Sequence, residues 1–242
     1  MKYIIGNLKM ELSYNESIKY LNEINDLTKN KEINLERIYL GIALSHDALS
    51  LSLNYPNRKF HIGAQNIFHL EKGPYTGEVS IKSAQELKLD FIILGHSLRR
   101  QMFNETNQII NDKLLAFEKY NIMPIICIGE TLKEFTEGKT KQTIKRQLKK
   151  CLQNVKHRRF LISYEPIYAI GNGMVPEISH IENIIKIIKD YVGYDIPVLY
   201  GGSVSNSNIN TLKNMKNIDG FLVGTAAINP SNFIAMCKKM ND

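Results

Sequence analysis

The amino-acid sequence predicts a single-domain (β/α)8 barrel, an α/β fold in which eight parallel strands alternate with helices. Short, almost wholly apolar runs recur eight times along the 242 residues, and such runs are typical of parallel strands buried on both faces. The segments between the runs carry apolar residues at helical spacing. The length suits one such barrel, so we expect residues 1–242 to form a single domain.

The eight predicted strands come at intervals that leave room for a helix or a long connection after each. They are Tyr3–Gly6, Ile38–Ala43, Phe60–Ala64, Phe91–Gly95, Pro124–Ile128, Phe160–Tyr164, Pro197–Tyr200 and Phe221–Val223. Two predicted helix faces are formed by Ile18, Leu21, Ile24 and Leu27, and by Ile181, Ile184, Ile185 and Ile188. An open, doubly wound sheet is the alternative fold, and the count of eight strands favours the barrel.

Composition and charge indicate an ordinary globular protein. The chain is 43% apolar and 23% charged, with a formal net charge of +7. Its densest basic segment, residues 139–150, has helical spacing and is typical of a solvated helix face. No nucleic-acid-binding motif accompanies it, so we expect no nucleic-acid partner. A mildly basic surface also suits an anionic, phosphate-bearing substrate.

The cysteines and the apolar runs bear on the cellular compartment. Cys127, Cys151 and Cys237 are odd in number and widely spaced, which fits neither a disulfide framework nor a zinc site. We therefore expect packing roles for them, no metal, and a reducing cytoplasm. The first residues turn polar too soon for a signal peptide, and no apolar run is long enough to span a membrane. No membrane association is expected.

Polar residues and glycines follow five of the predicted strands. The first is followed by Asn7-Leu8-Lys9, the fourth ends in Gly95-His96-Ser97, and the sixth ends in Tyr164-Glu165-Pro166. The seventh and eighth lead into Gly201-Gly202-Ser203 and Gly224-Thr225. Because the carboxyl ends of barrel strands share one rim, we expect these residues to meet there.

Together these residue types form a chemically coherent set. Glu165 can act as a general base, His96 can polarise a carbonyl, and Lys9 can stabilise a developing enediolate. The glycine-bearing turns expose backbone N–H groups that suit a phosphate. Each residue alone has a more ordinary structural role, and their joint placement carries the prediction. The predicted chemistry is the abstraction of a proton from the carbon next to a carbonyl on a phosphorylated substrate.

A loop follows the candidate base directly. Residues 166–173 begin at Pro166, contain two glycines and precede a second proline at Pro176. The position favours a lid that closes over substrate, although an ordinary loop between strand and helix is the alternative.

Many of these segments, in this order, resemble the triosephosphate isomerase family, and the resemblance covers essentially the whole chain. The matching segments are Gly6-Asn7-Leu8-Lys9-Met10, Gly63-Ala64-Gln65-Asn66 with residues 73–78, Leu94-Gly95-His96-Ser97-Leu98-Arg99-Arg100, Cys127-Ile128-Gly129-Glu130, residues 164–171, Tyr200-Gly201-Gly202-Ser203 and Leu222-Val223-Gly224. The fold that the resemblance implies is the TIM barrel.

The resemblance also implies a reaction, site residues and partners. Members interconvert dihydroxyacetone phosphate and D-glyceraldehyde 3-phosphate, a step of glycolysis and gluconeogenesis, without a cofactor. The family pairs a glutamate base with a neutral histidine electrophile, here Glu165 and His96, while Lys9 and Asn7 stabilise the enediolate. The resemblance implies that the phosphate is bound by backbone groups at Gly171, Ser203, Gly224 and Thr225. A homodimer is implied through the 65–80 loop, with Thr76 reaching the partner's site.

The chain departs from the family pattern in five places. Leu98 stands where the family has a glutamate close to the catalytic lysine, so we expect Lys9 to lack a partner and turnover to be slowed. The alternative is that another carboxylate or a water takes the place of that glutamate. Thr225 replaces a second glycine, which is unfavourable only if that backbone needs a positive φ. Leu8 and Tyr168 each stand where the family has Trp, and both changes are expected to be tolerated. Met174-Val175-Pro176 stands where the family has Lys-Thr-Ala, and this change is expected to affect only the kinetics of the lid.

Three functions stay open at this point. The first is a working triosephosphate isomerase. The second is a phosphosugar-binding pseudoenzyme or scaffold that keeps the site with little activity, and the third is another aldose–ketose phosphate isomerase on the same barrel. The intact lysine, histidine and glutamate argue against the second, and the short lid-like segment argues against the third.

Overall fold

A computed structural model describes residues 1–29, 33–170 and 174–241, and within these ranges eight parallel strands close into a barrel. The strands are β1 Lys2–Asn7, β2 Ile38–Leu44, β3 His61–Ala64, β4 Phe91–Leu94, β5 Met123–Ile128, β6 Leu161–Tyr164, β7 Val198–Tyr200 and β8 Gly220–Val223. Each strand pairs with the next, and β8 pairs with β1. The predicted (β/α)8 barrel is confirmed, and the closure excludes the open sheet.

Helices surround the barrel in the described ranges. They are α1 Tyr14–Lys29, α2 Ile81–Glu86, α3 Ser97–Met102, α4 Asn107–Ala116, α5 Leu132–Thr136, α6 Thr140–Cys151, α7 Ile178–Val192, α8 Ile209–Leu212 and α9 Pro230–Lys239, with 3-10 helices at His46–Asn54, Phe117–Lys119, Ile167–Ala169 and Thr225–Ala227. The predicted faces of α1 and α7 pack against the core, and the lysines of α6 are exposed. None of the described helices is both long and apolar enough to cross a bilayer.

Every strand overlaps its predicted range, but several predicted ends were wrong by one residue. The fourth strand stops at Leu94 because Gly95 adopts a left-handed φ of +66°, which breaks the extended backbone. The third begins at His61, where pairing with Gly41 starts, although Phe60 before it is buried. Apolar burial thus reaches slightly beyond the hydrogen-bonded ladder.

The core has two layers because successive strand residues point to opposite faces. Ile4 on β1 and Ile92 on β4 point outward and join the large cluster between the barrel and its helices. Their neighbours Ile5 and Ile93 point inward and fill the barrel with seven other side chains. The interior is therefore packed, and the open space lies at the carboxyl ends of the strands.

Candidate active site

A cavity of about 450 Å³ opens at the carboxyl ends of the strands. The predicted site residues Asn7, Lys9, His96, Glu165, Ser203, Gly224 and Thr225 all line it, with Ile170, Gly201, Gly202, Val204, Ser205, Ser207, Asn208, Leu222 and Ala226. Gly171, the remaining predicted phosphate ligand, lies outside the described residues. The structure thus gathers seven predicted side chains and backbone positions, spread over more than 200 residues of sequence, at one cavity.

Glu165 occupies the floor of this cavity and is 2% exposed. Its backbone N–H donates to the carbonyl of Ile128 at 2.8 Å, which ties it to β5. The carboxylate accepts the Ser97 N–H at 3.3 Å through Oε2, and Oε1 lies 3.8 Å from His96 Nε2. These contacts are long, so the carboxylate is oriented without being saturated by donors.

Glycines on both sides leave room for Glu165. A Cβ on Gly129 would come within 1.8 Å of the Glu165 carbonyl oxygen, and one on Gly201 within 2.8 Å of Glu165 Cγ. Beneath the base, Cys127 is buried in the barrel interior. Burial, together with the nearby Glu165 carboxylate, raises the pKa of the Cys127 thiol. The thiol therefore stays protonated, and its packing role stays a prediction.

His96 forms the N-cap of α3 and is 7% exposed. Its Nδ1 accepts the backbone N–H of Leu98 at 3.2 Å. A ring nitrogen that accepts a hydrogen bond carries no proton, so the neutral ring has its hydrogen on Nε2. Nε2 lies 3.8 Å from Glu165 Oε1, and His96 lines the cavity. The ring is therefore set to donate a hydrogen bond to a substrate oxygen.

Lys9 has a left-handed backbone with a φ of +53°, a conformation that costs a non-glycine residue about 1–3 kcal/mol. Two side chains hold it there. Asn7 Oδ1 accepts the Lys9 N–H at 3.2 Å, and Gln65 Nε2 donates to the Lys9 carbonyl at 2.8 Å. A Cβ on Gly224 would lie 3.4 Å from Lys9 Nζ, so the ammonium lies near the turn after β8.

The expected loss of a partner for Lys9 agrees with the structure. Across the described ranges, no carboxylate lies within ion-pair distance of the half-buried Lys9, whereas the fully buried Lys113 and Lys189 are both paired. Leu98, where the family has its glutamate, is 37% exposed on the first turn of α3. It supplies only its backbone N–H to the site.

The turns after β7 and β8 form the opposite wall of the cavity. Thr225 does not have a positive φ, so threonine in place of the family's second glycine causes no backbone strain there. Gly224 before it has a φ of −91° and a ψ of −113°. The Ser203 hydroxyl donates to the carbonyl of Ala169 at 2.8 Å and links this wall to the root of the predicted lid.

The root of the predicted lid rests on a buried polar cluster. Glu130 is fully buried, accepts the Tyr164 hydroxyl at 3.0 Å, and has its pKa raised by burial. Tyr168, in the place of the family's Trp, stacks on Phe135 with ring centres 4.5 Å apart. Of the predicted lid, residues 171–173 lie outside the described residues, so its closure stays a prediction.

Several large apolar side chains close in sequence to site residues are exposed. Met10, Met102, Phe103 and Tyr75 are 92%, 69%, 61% and 42% exposed, and Thr76 in the 65–80 loop is also exposed.

Sequence reasoning gave no role to several polar residues that line the cavity, namely Ser205, Ser207 and Asn208, and it missed one residue that contacts the backbone of Lys9. Gln65 was read only as part of the loop motif, yet it contacts the backbone of Lys9. Its position directly after β3, at the same rim as the other site residues, was the available signal. Among the described residues, no three histidine, cysteine or carboxylate side chains are grouped as a metal site would require.

Comparisons with known proteins give one family. A family model described as triosephosphate isomerase matches residues 2–240. Triosephosphate isomerase of Mycoplasmopsis pulmonis is 39% identical over 236 residues, covering 96% of this chain and 95% of that protein. The enzymes of Mesomycoplasma hyopneumoniae strain 7448 and of a Nostoc species are 37% and 38% identical, covering 96% and 95% of both chains.

Proposed function

This chain belongs to the triosephosphate isomerase family of isomerases, and we propose that it interconverts dihydroxyacetone phosphate and D-glyceraldehyde 3-phosphate. The observation that carries the proposal is the meeting of Asn7, Lys9, His96 and Glu165 with the turns after β7 and β8 at one cavity. A carboxylate, an imidazole and an ammonium at one end of a triose, and backbone amides at the other, suit this reaction.

In the proposed mechanism Glu165 removes a proton from the carbon next to the carbonyl. The electrons move into an enediolate, whose oxygen is stabilised by the Nε2–H of His96 and by the Lys9 ammonium. His96 gives its Nε2 proton to the oxygen of the former carbonyl and takes the hydroxyl proton from the neighbouring oxygen, so that one proton passes between the two oxygens. Protonated Glu165 then returns its proton to the former carbonyl carbon, and the new carbonyl forms at the carbon that first lost a proton. The proton returns to carbon and no electrons leave the substrate, so no cofactor is needed. Asn7 acts by holding the backbone of Lys9.

The phosphate is assigned to backbone groups of Gly171, Ser203, Gly224 and Thr225. The Lys9 ammonium lies close to Gly224, so one cation serves both the enediolate and the phosphate. Closure of the lid at residues 166–173 would exclude water and suppress loss of phosphate from the intermediate.

We further propose a homodimer formed through the 65–80 loop, with Thr76 reaching the partner's site. The exposed Met10, Met102 and Phe103 support it, since they offer an apolar surface beside the cavity. The reaction belongs to glycolysis and gluconeogenesis. Three free, buried cysteines are consistent with a reducing cytoplasm.

The second candidate is a phosphosugar-binding pseudoenzyme, and it is favoured by the finding that no carboxylate of the described ranges pairs with Lys9. The test is a coupled isomerase assay with D-glyceraldehyde 3-phosphate on the purified chain, beside Glu165→Gln. We expect turnover in the parent and a loss of about 10²- to 10⁴-fold in the variant. Glu36→Gln, on an exposed residue, is the matched control and should leave kcat unchanged.

No turnover in the parent, combined with binding of 2-phosphoglycolate, would identify the pseudoenzyme. This ligand carries a phosphate and a carboxylate that imitates the enediolate charge, so it probes the site independently of chemistry. Turnover that survives Glu165→Gln would contradict the assigned base.

A further inference from the structure

The positive charge of this chain is concentrated in one segment. Residues 139–164 carry 9 of the 31 lysines and arginines and none of the 24 aspartates and glutamates. The rest of the chain therefore has 22 cationic side chains against 24 anionic ones, so its own net charge is −2 and the segment supplies the whole positive excess. Such a separation of charge indicates an anionic partner for the segment.

Much of this charge lies on the outer face of α6. We call this face the lysine surface; its members, all of them exposed, are Lys141, Lys145, Lys149 and Lys150. The first three recur at every fourth residue, so they share one side of the helix over about 12 Å. Among the described residues none of the four has an ion pair, whereas Arg146 on the same helix pairs with Glu134 at 2.8 Å.

The acidic residues of the neighbouring helices are bound to other donors. Helix α6 packs against α4, α5 and α7. Asp190 on α7 accepts the Lys186 ammonium at 2.6 Å, and Asp112 on α4 accepts the Gln108 amide at 2.9 Å. The charge of the lysine surface is therefore left facing solvent.

Two tyrosines lie beside the lysine surface, at the end of α7. Tyr191 and Tyr194 are 46% and 57% exposed, and the Tyr194 hydroxyl donates to Asp190 at 2.9 Å. Hydrogen bonds from Lys186 and Tyr194 lower the pKa of Asp190. The charge of Lys145 lowers it further, so this lysine lies near Asp190. Helices α6 and α7 thus bring cationic and aromatic side chains to one side of the barrel.

We propose that the lysine surface, with Tyr191 and Tyr194 at its edge, is a docking site for an anionic lipid surface. A bilayer presents a broad layer of charge, and ammonium groups on long stems reach it without a matching shape. Tyrosine suits the headgroup layer because its ring is apolar and its hydroxyl is polar. The proposal is independent of the isomerase reaction, since none of these residues lines the active-site cavity.

This docking differs from the membrane association that the sequence argued against. That expectation concerned segments that span a bilayer or direct a chain to one. A folded protein that lies on the headgroups through charged side chains needs neither, and it dissociates again when the charges are screened.

A nucleic acid fits the same surface less well. Helix α6 carries no exposed aromatic side chain on which bases could stack. It is flanked by α4 and α7, so it cannot enter a major groove that is only about 12 Å wide. Phosphate contacts alone remain, and they are examined as one outcome of the test.

Cosedimentation with vesicles tests the proposal. The vesicles contain equal parts of phosphatidylglycerol and phosphatidylcholine, and vesicles of phosphatidylcholine alone are the reference. We expect binding to the anionic vesicles only. Added salt should weaken it, because the Debye length falls from about 30 Å at 0.01 M to about 8 Å at 0.15 M.

Two triple variants locate the binding. Lys141→Gln/Lys145→Gln/Lys149→Gln should lower the partition constant about 100-fold, since each lysine near an anionic surface contributes about fivefold. The matched control removes the same charge from exposed positions on other elements, as Lys19→Gln/Lys59→Gln/Lys216→Gln. Its partition constant should fall less than about fivefold. All six lysines are exposed, so both variants should keep the Tm of the parent.

The chain contains no tryptophan, so one substitution supplies a fluorescent reporter. The emission of Tyr191→Trp should shift to shorter wavelength on the anionic vesicles, because the ring leaves water for the headgroup layer. Tyr14→Trp on α1, at a site that is 43% exposed, is the control and should show no shift.

Four results would overturn the proposal. They are no binding to the anionic vesicles at low salt, equal weakening by the two triple variants, an emission shift that is the same for both reporters, and binding of a single-stranded RNA without binding of vesicles. The last result would assign the lysine surface to nucleic acid instead. None of these measurements needs turnover, so they stand whether or not the proposed isomerase activity is found.

Discussion

The two rims of the barrel use carboxylates in opposite ways. At the amino-terminal rim, one aspartate precedes β4 and another precedes β8. Asp90, before β4, accepts the Ile62 N–H of β3 at 2.9 Å, and Asp219, before β8, accepts the Val198 N–H of β7 at 2.8 Å. Each is also paired with a cation, at 2.8 Å and 2.6 Å. At the carboxyl-terminal rim, the Glu165 carboxylate pairs with no lysine or arginine among the described residues, and it lies 3.3 Å from the Ser97 backbone nitrogen and 3.8 Å from His96 Nε2.

The difference teaches which polar residues stabilise the fold and which are kept for chemistry. Burial alone would raise the pKa of Asp90, but hydrogen bonds from His61, Arg58 and the Ile62 N–H hold it below its usual value. That carboxylate is therefore fixed as an anion with its acceptor sites occupied. Glu165, the proposed base, has no such set of donors, and Lys9 at the same cavity keeps a left-handed backbone and has no ion pair among the described residues.

The largest expected effect comes from breaking the amino-terminal rim. Asp219→Asn leaves the Lys189 ammonium, whose side chain is 4% exposed, without its counter-charge. The Asp219 carboxylate is 31% exposed, so the cost is below that of a fully buried pair, about 2 kcal/mol, which lowers Tm by roughly 4–8 °C in a chain of this size. Thermal unfolding should show this loss, while kcat at 25 °C stays close to that of the parent.

Asp195→Asn provides the matched control for this prediction. Asp195 also pairs with a cation, Arg158, but both side chains are more than half exposed. Solvent screens such pairs, so its Tm should stay near that of the parent. Equal losses in the two variants would show that the amino-terminal pair has no special weight.

A smaller effect is expected from completing the carboxyl-terminal rim. Leu98→Glu introduces the carboxylate that the family resemblance places near Lys9, and a partly exposed ion pair is worth at most about 1 kcal/mol, so kcat should rise about two- to fivefold. Steady-state assays measure this directly, with Leu132→Glu on the exposed start of α5 as control. If kcat stays flat or falls, residue 98 does not limit the rate.

The smallest effect concerns Glu130 beneath the lid root, a carboxylate whose pKa is raised by burial. The folded chain holds this proton more tightly than the unfolded chain, so its stability contribution is present at low pH and is lost as the pH rises through the raised value. Glu130→Gln is neutral at every pH. Its Tm should exceed the parent's by a few degrees at pH 8, with a smaller gain at pH 5.

Glu36→Gln, on an exposed carboxylate, should show no such dependence on pH. A gain at Glu130→Gln that is the same at both pH values would mean that Glu130 carries no raised pKa in the folded chain.

The barrel and most of the site were predictable because both rest on local pattern. Strands buried on both faces read as apolar runs, and residues that follow parallel strands must share a rim. Lys9, His96 and Glu165 were identified on that ground, and each lies at the cavity.

Contacts made between distant segments were not predictable. Gln65 is 56 residues from Lys9, and Ser97 is 68 from Glu165, so no periodicity relates them. The left-handed backbone of Lys9 could not be predicted from the sequence either, because lysine seldom adopts this conformation and contacts with neighbouring residues impose it. The same applies to Asp219, whose partners Val198 and Lys189 come from elements 21 and 30 residues away.

The most direct test of the division between the rims is to measure kcat and Tm together for Glu165→Gln and Asp219→Asn. We predict a crossed result: Glu165→Gln loses turnover about 10²- to 10⁴-fold and keeps its Tm, whereas Asp219→Asn keeps its turnover and loses Tm. A parallel loss of both quantities in both variants would contradict the account, because chemistry and stability would then not be separated between the two ends of the barrel.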